Sequence, residues 1–99
     1  MARYLVYRIA GENVLLLDVQ ADALSGLDTR AVVPLIPIDD AARRITRLHP
    51  LFDIGGVRYL CATQLLTSVH ARLLTTPVAD LNAEHDCIIA ALDVLLTGV

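Results

Sequence analysis

The chain has 99 residues, 56% of them hydrophobic, a formal net charge of −3, and no lysine among its eight basic residues. That length gives one domain, residues 1–99, with a thin core, and the apolar share exceeds the usual roughly 45–50%, which predicts a homo-oligomer, most simply a dimer, that covers the surplus. The acidic balance speaks against gripping a phosphate backbone, which depends on clustered Lys and Arg, and no run reaches the roughly 20 apolar residues of a membrane span, since Asp93 interrupts "CIIAALDVLL".

At the start, "MARYLVYRIAGE" lacks the apolar block and small-residue cleavage site of a secretory leader, which predicts a cytoplasmic protein. Cys61 and Cys87, with no CxxC, then read as free thiols. Arg3 to Ile9 alternate as a strand does, Gly11 to Asn13 supply a turn, and "VLLLDVQ" resumes as a more buried strand, so the chain opens on a hairpin. "ADALSGLDT", residues 21–29, has no period and contains Ser25-Gly26; it reads as a loop that exposes Leu24. "RAVVPLIPI" is rich in β-branched residues, but Pro34 and Pro37 cannot donate to a ladder, which confines it to an edge, a bulge or a strand end. "DDAARRITRL", residues 39–48, has the spacing of an amphipathic helix, although Thr46 and the following "HPLFDI" favour a loop feeding a strand.

"LFDIGGVRYLCAT" is the clearest hairpin, with Gly55-Gly56 as a type I′ turn. "VHARLLT" adds a strand before Pro77. The helix follows: Asn82 suits the N-cap, Glu84 favours the positive end of the dipole, and Ile88, Ile89, Leu92, Leu95 and Leu96 form one apolar face that Gly98 ends.

A search for chemistry finds little. His49, His70 and His85 are dispersed, and His85 with Cys87 lacks a zinc-like pattern, so no metal site is predicted. Ser68 and His70 share a strand face by alternation alone. Asp39-Asp40 reads as solvated loop, and no glycine-rich phosphate loop or other cofactor motif is present. The residues predict no catalytic set, no cofactor and no enzyme.

Four pieces in order, "DVQAD" at Asp18 to Asp22, "VVPL" at Val32 to Leu35, "HPLFDIGG" at His49 to Gly56 and "VADL" at Val78 to Leu81, followed by a helix ending in Gly and an apolar residue, resemble the CcdB toxin family. The resemblance runs through the whole chain. It implies a mainly β fold: a small SH3-like β-barrel with an additional small antiparallel sheet and a C-terminal α-helix, forming a symmetric homodimer. It implies the toxin of a toxin-antitoxin pair, which enters the cleft of the gyrase A subunit and traps the cleaved DNA complex without chemistry of its own, and which a CcdA-like antitoxin neutralises. The gyrase contacts it implies are Asp93, Leu96, Thr97, Gly98 and Val99 at the helix end, with Ala23 and Leu24 in the loop after "DVQ".

The ending "LLTGV" then has a reason beyond core packing: a helix terminus carries unpaired carbonyls and partial negative charge, to which the chain's carboxylate adds, and an arginine-bearing cleft suits that. Asp93, inside an apolar run, calls for a partner, either an Arg of this chain or of its target. The chain departs from the family's best-known plasmid toxin in having Thr97 where that protein has Trp, and in a shorter first hairpin. Two other readings use the same barrel: an endoribonuclease toxin of the MazF and Kid kind, which needs an acid/base groove among basic residues, and a degenerate member that binds antitoxin without poisoning gyrase.

Overall fold

A computed structural model of the chain describes residues 2–38 and 44–98. Among the described residues seven strands, β1 (Leu5–Arg8), β2 (Leu15–Asp18), β3 (Thr29–Pro37), β4 (Leu51–Ile54), β5 (Val57–Cys61), β6 (Thr67–His70) and β7 (Pro77–Asp80), precede one α-helix, α1 (His85–Thr97). They form one antiparallel half-barrel sheet in the order β4-β5-β3-β2-β1-β7, with β6 also paired to β3. The mainly β fold with a C-terminal helix is the one the sequence predicts. The β4–β5 hairpin and β6 attach to opposite halves of β3, so the smaller antiparallel element is continuous with the main sheet.

β3 is where sequence and structure part. Its prolines suggest an edge, yet it is the most paired strand, with β2 along one side and both β5 and β6 along the other. The reason is local. β6 pairs residues 29–32 and β5 pairs residues 35–37, and Pro34 falls in the gap between them. The Pro34 carbonyl accepts the Ala62 N–H at 2.9 Å on that side, so the missing proline N–H would have pointed into the changeover between partners. Pro37 sits at the strand end, as its chemistry requires.

Alternation along the strands builds two cores. Val6, Leu15, Leu17, Val33, Leu35, Phe52, Tyr59 and Cys61 project to one face and meet Ile88 of α1. Tyr7, Val32 and Leu74 form a smaller cluster on the other face. The second hairpin turns on Gly55 (φ +59°) and Gly56 (φ +80°), the paired left-handed conformation of a type I′ turn. Tyr4 is the one described non-glycine residue with positive φ (+72°); its buried ring and the 2.6 Å contact of its hydroxyl with His85 Nδ1 hold it there.

Residues 44–50 form a turn that feeds β4, as Thr46 and "HPLFDI" favour, and in it His49 Nδ1 accepts the Ile45 N–H at 3.0 Å; residues 39–43, including Asp39-Asp40, lie outside the described residues. Two other expectations change. Of "VHARLLT" only Val69 and His70 are strand: β6 ends at His70, whose Nδ1 accepts the Arg72 N–H and starts a 3₁₀ turn at Ala71–Leu73. The strand at Pro77–Asp80 was not anticipated, because proline at a first strand position reads as a stop; it pairs with β1 across a bulge at Val6/Tyr7.

Candidate functional site

Helix α1 is anchored by its first half. A 3₁₀ turn at Asn82–Glu84 leads into it, and no side chain caps it; Asn82 instead gives its backbone N–H to Asp80 Oδ1 at 2.9 Å. The buried residues of the helix are Ile88 and Ala91. Ile89, Leu92 and Leu95 are half-buried, Asp93 and Thr97 are exposed, and Leu96 is 71% exposed, the most open large apolar side chain among the described residues. The apolar face read from the sequence therefore runs off the core before the helix ends.

The ending itself is ordered by local bonds. Thr97 Oγ1 donates to the Asp93 carbonyl at 2.7 Å, and Gly98, at φ +78°, returns its N–H to the Val94 carbonyl at 3.0 Å. Space around a Cβ at Gly98 is open, so glycine is demanded by the backbone angle and not by a neighbour. Asp93 makes no ion pair with any described residue. Val99 lies outside the described residues.

Ala23 and Leu24 sit on a 3₁₀ turn, Asp22–Leu24, and both are exposed, Leu24 by 50%. This turn is held toward the other end of α1. Arg3 gives its N–H to Asp22 Oδ1 at 2.8 Å and its Nε to the Val19 carbonyl at 3.2 Å, its guanidinium lies 4.8 Å above the Tyr4 ring, and the Tyr4 hydroxyl reaches His85. The thirteen residues of α1 carry the chain from His85 to Thr97, about 18 Å of rise. No hydrogen bond or ion pair among the described residues joins the turn to the helix end.

Sequence reasoning missed a third surface. An open apolar groove of about 410 Å³ runs along the outer face of the sheet, lined by Leu16, Pro34, Ile36 and Leu65, with Ile9, Glu12 and Val14 from the first hairpin. The signal was in "VLLL": an unbroken apolar strand needs cover on both faces, and Leu15 and Leu17 fill the core while Leu16 faces outward.

The remaining candidates have structural roles. His49 bonds Gln64, His70 caps its turn and His85 bonds Tyr4. No cluster of metal-ligating side chains occurs among the described residues. Both thiols are free; burial pushes Cys61 up to about 11, and burial followed by the Glu84 carboxylate raises Cys87. No described helix is long and apolar enough to cross a membrane.

A comparison with curated proteins returned no match. A family model described as CcdB protein matches residues 3–98, nearly the whole chain. With the half-barrel sheet and the C-terminal helix in place over that same span, the chain belongs to the CcdB family.

Proposed function

We propose that this protein is the toxin of a toxin-antitoxin pair that docks the C-terminal end of α1 on the gyrase A subunit and traps gyrase on cleaved DNA. The observation that carries the reading is the exposed helix end: Asp93, Leu96, Thr97 and Gly98 all face solvent, beyond the last buried residue at Ala91. An apolar side chain beside an acidic one, on the negative end of a helix dipole, complements a cleft with apolar walls and basic rims. The family supports a toxin that acts by binding, and no reaction is assigned to this chain.

A homodimer completes the reading. The turn at Ala23 and Leu24 and the end of α1 are separate in one chain, and a two-fold axis would present two copies of each to a symmetric target. Exposed Leu24, Leu27, Leu73 and Leu96 supply apolar area for the dimer contact and for the target. The outer groove at Leu16, Pro34 and Ile36 offers an antitoxin segment an apolar bed, on which a disordered chain would fold.

The test is capture of purified gyrase A by the purified protein, with an RNA-cleavage assay beside it. Retention of gyrase A in the absence of RNA cleavage is expected. RNA cleavage without gyrase binding would replace this reading with the endoribonuclease one.

A further inference from the structure

Asp18 and Arg30 form a fully buried ion pair, each 0% exposed, with Arg30 Nε and Nη2 at 2.8 and 2.7 Å from Asp18 Oδ2. Such a pair is weak evidence for stability, because desolvation offsets most of the attraction and an apolar pair of similar volume often serves as well. Here the pair supplies direction. With Oδ2 occupied by arginine, Oδ1 is left to accept the Gln20 N–H at 3.0 Å, just beyond the end of β2.

That bond fixes the Gln20 backbone, and the residue is only 9% exposed. Gln20 Oε1 accepts the Ala31 N–H at 3.0 Å, and Nε2 donates to the Leu24 carbonyl at 3.0 Å. The reversed amide would set two donors against each other at Ala31 and two acceptors at Leu24, so the environment admits one orientation. The Leu24 carbonyl also accepts the Leu27 N–H at 3.1 Å, and both its lone pairs are used. Gln20, bonded through its backbone to the buried ion pair and through its side chain to the Leu24 carbonyl, thus links the pair to the turn that bears an exposed leucine.

We infer that Gln20, oriented by the Asp18–Arg30 pair, is the positioning residue for the turn that presents Ala23 and Leu24. The inference rests on the reading of that turn as a gyrase contact. An apolar side chain on a tethered turn binds with less ordering cost than one on a mobile loop, and the buried polar network is what keeps an otherwise exposed segment in a single shape.

The experiment compares wild type, Gln20→Met, Gln20→Glu and Leu24→Ala by residue-resolved amide exchange and by gyrase A affinity at pH 8. Gln20→Met removes both side-chain bonds. Gln20→Glu keeps the acceptor for Ala31 but, ionised, has no donor for Leu24. Both Gln20 variants should speed exchange at Leu24 and Leu27 by about tenfold relative to core amides such as Val6 and Leu17, and weaken gyrase A by about tenfold. Leu24→Ala should weaken gyrase A while leaving the exchange pattern of the turn unchanged. Unchanged loop exchange in Gln20→Glu overturns the inference, as does faster loop exchange with gyrase affinity intact. If wild type itself does not bind gyrase A, the functional reading fails, and the exchange data still decide whether Gln20 holds the turn.

Discussion

Replacing Gly98 separates what the helix end does for the fold from what it does for a partner. Gly98 stands at φ +78°, and a Cβ there meets nothing within 4 Å, so a substitution costs only the left-handed strain, about 1–2 kcal/mol. Gly98→Ala carries that strain alone. Gly98→Glu adds a carboxylate at the negative end of the helix, a further loss of about 0.3–1 kcal/mol. In a domain of this size each kcal/mol lowers Tm by roughly 4–8 °C. Truncation after Leu96 should cost no more, since Thr97 and Gly98 are exposed and the buried helix residues are Ile88 and Ala91. Gyrase A affinity should fall by at least about 100-fold for Gly98→Glu and for the truncation, the size of a hot-spot loss. Thermal melting and gyrase A titration on the same samples make the comparison. A truncated protein that no longer melts cooperatively would show the ending to be core, and a Gly98→Glu protein that binds like wild type would place the site elsewhere.

Ile88, 1% exposed and packed into the main core, is the counterpart: Ile88→Ala should destabilise by about 2–5 kcal/mol, read by denaturant unfolding. Cys61 makes stability fall at alkaline pH. Its folded thiol is pushed up to about 11 from an ordinary 9.0, so the unfolded chain releases the proton first; stability is intact below about pH 9 and declines toward pH 11 by about 2–3 kcal/mol. Cys61→Ala should flatten that slope, and the buried tyrosines Tyr4 and Tyr7, also raised by burial, should leave a smaller decline above pH 10. Thr97→Trp should tighten gyrase A roughly 2- to 30-fold per contact if the cleft offers a cation, measured by titration. Sedimentation at micromolar concentration should give twice the chain mass; a monomer would remove the symmetric presentation of the helix ends.

What could be read beforehand follows from what is local. The Gly55-Gly56 turn, the Gly98 stop and the alternation through β1 are set by backbone angles and side-chain period, and each stands where the sequence puts it. Pro34 misled because its tolerance depends on which strands meet opposite it, a property of the whole sheet. The strand Pro77–Asp80 was hidden for a related reason: nothing in four residues says that β1 has a free edge to offer. At the candidate site, the exposure of Leu24 follows from a segment without period, whereas the exposed helix end follows only from the resemblance to the CcdB family, since the residues alone equally fit a helix ending against its own sheet. Gln20 was legible only as part of "DVQ", since its role exists through contacts with Asp18, Leu24 and Ala31 that are distant in pattern.

The most direct measurement of the central claim is the amount of cleaved plasmid that gyrase accumulates, in the presence of ATP, when the purified protein is added and the reaction is stopped with detergent. Trapping by docking at the end of α1 predicts linear DNA that rises with wild-type protein and is absent with the Gly98→Glu variant at the same concentration. Equal amounts of linear DNA with and without the wild-type protein, in a preparation that folds and binds gyrase A, would contradict it.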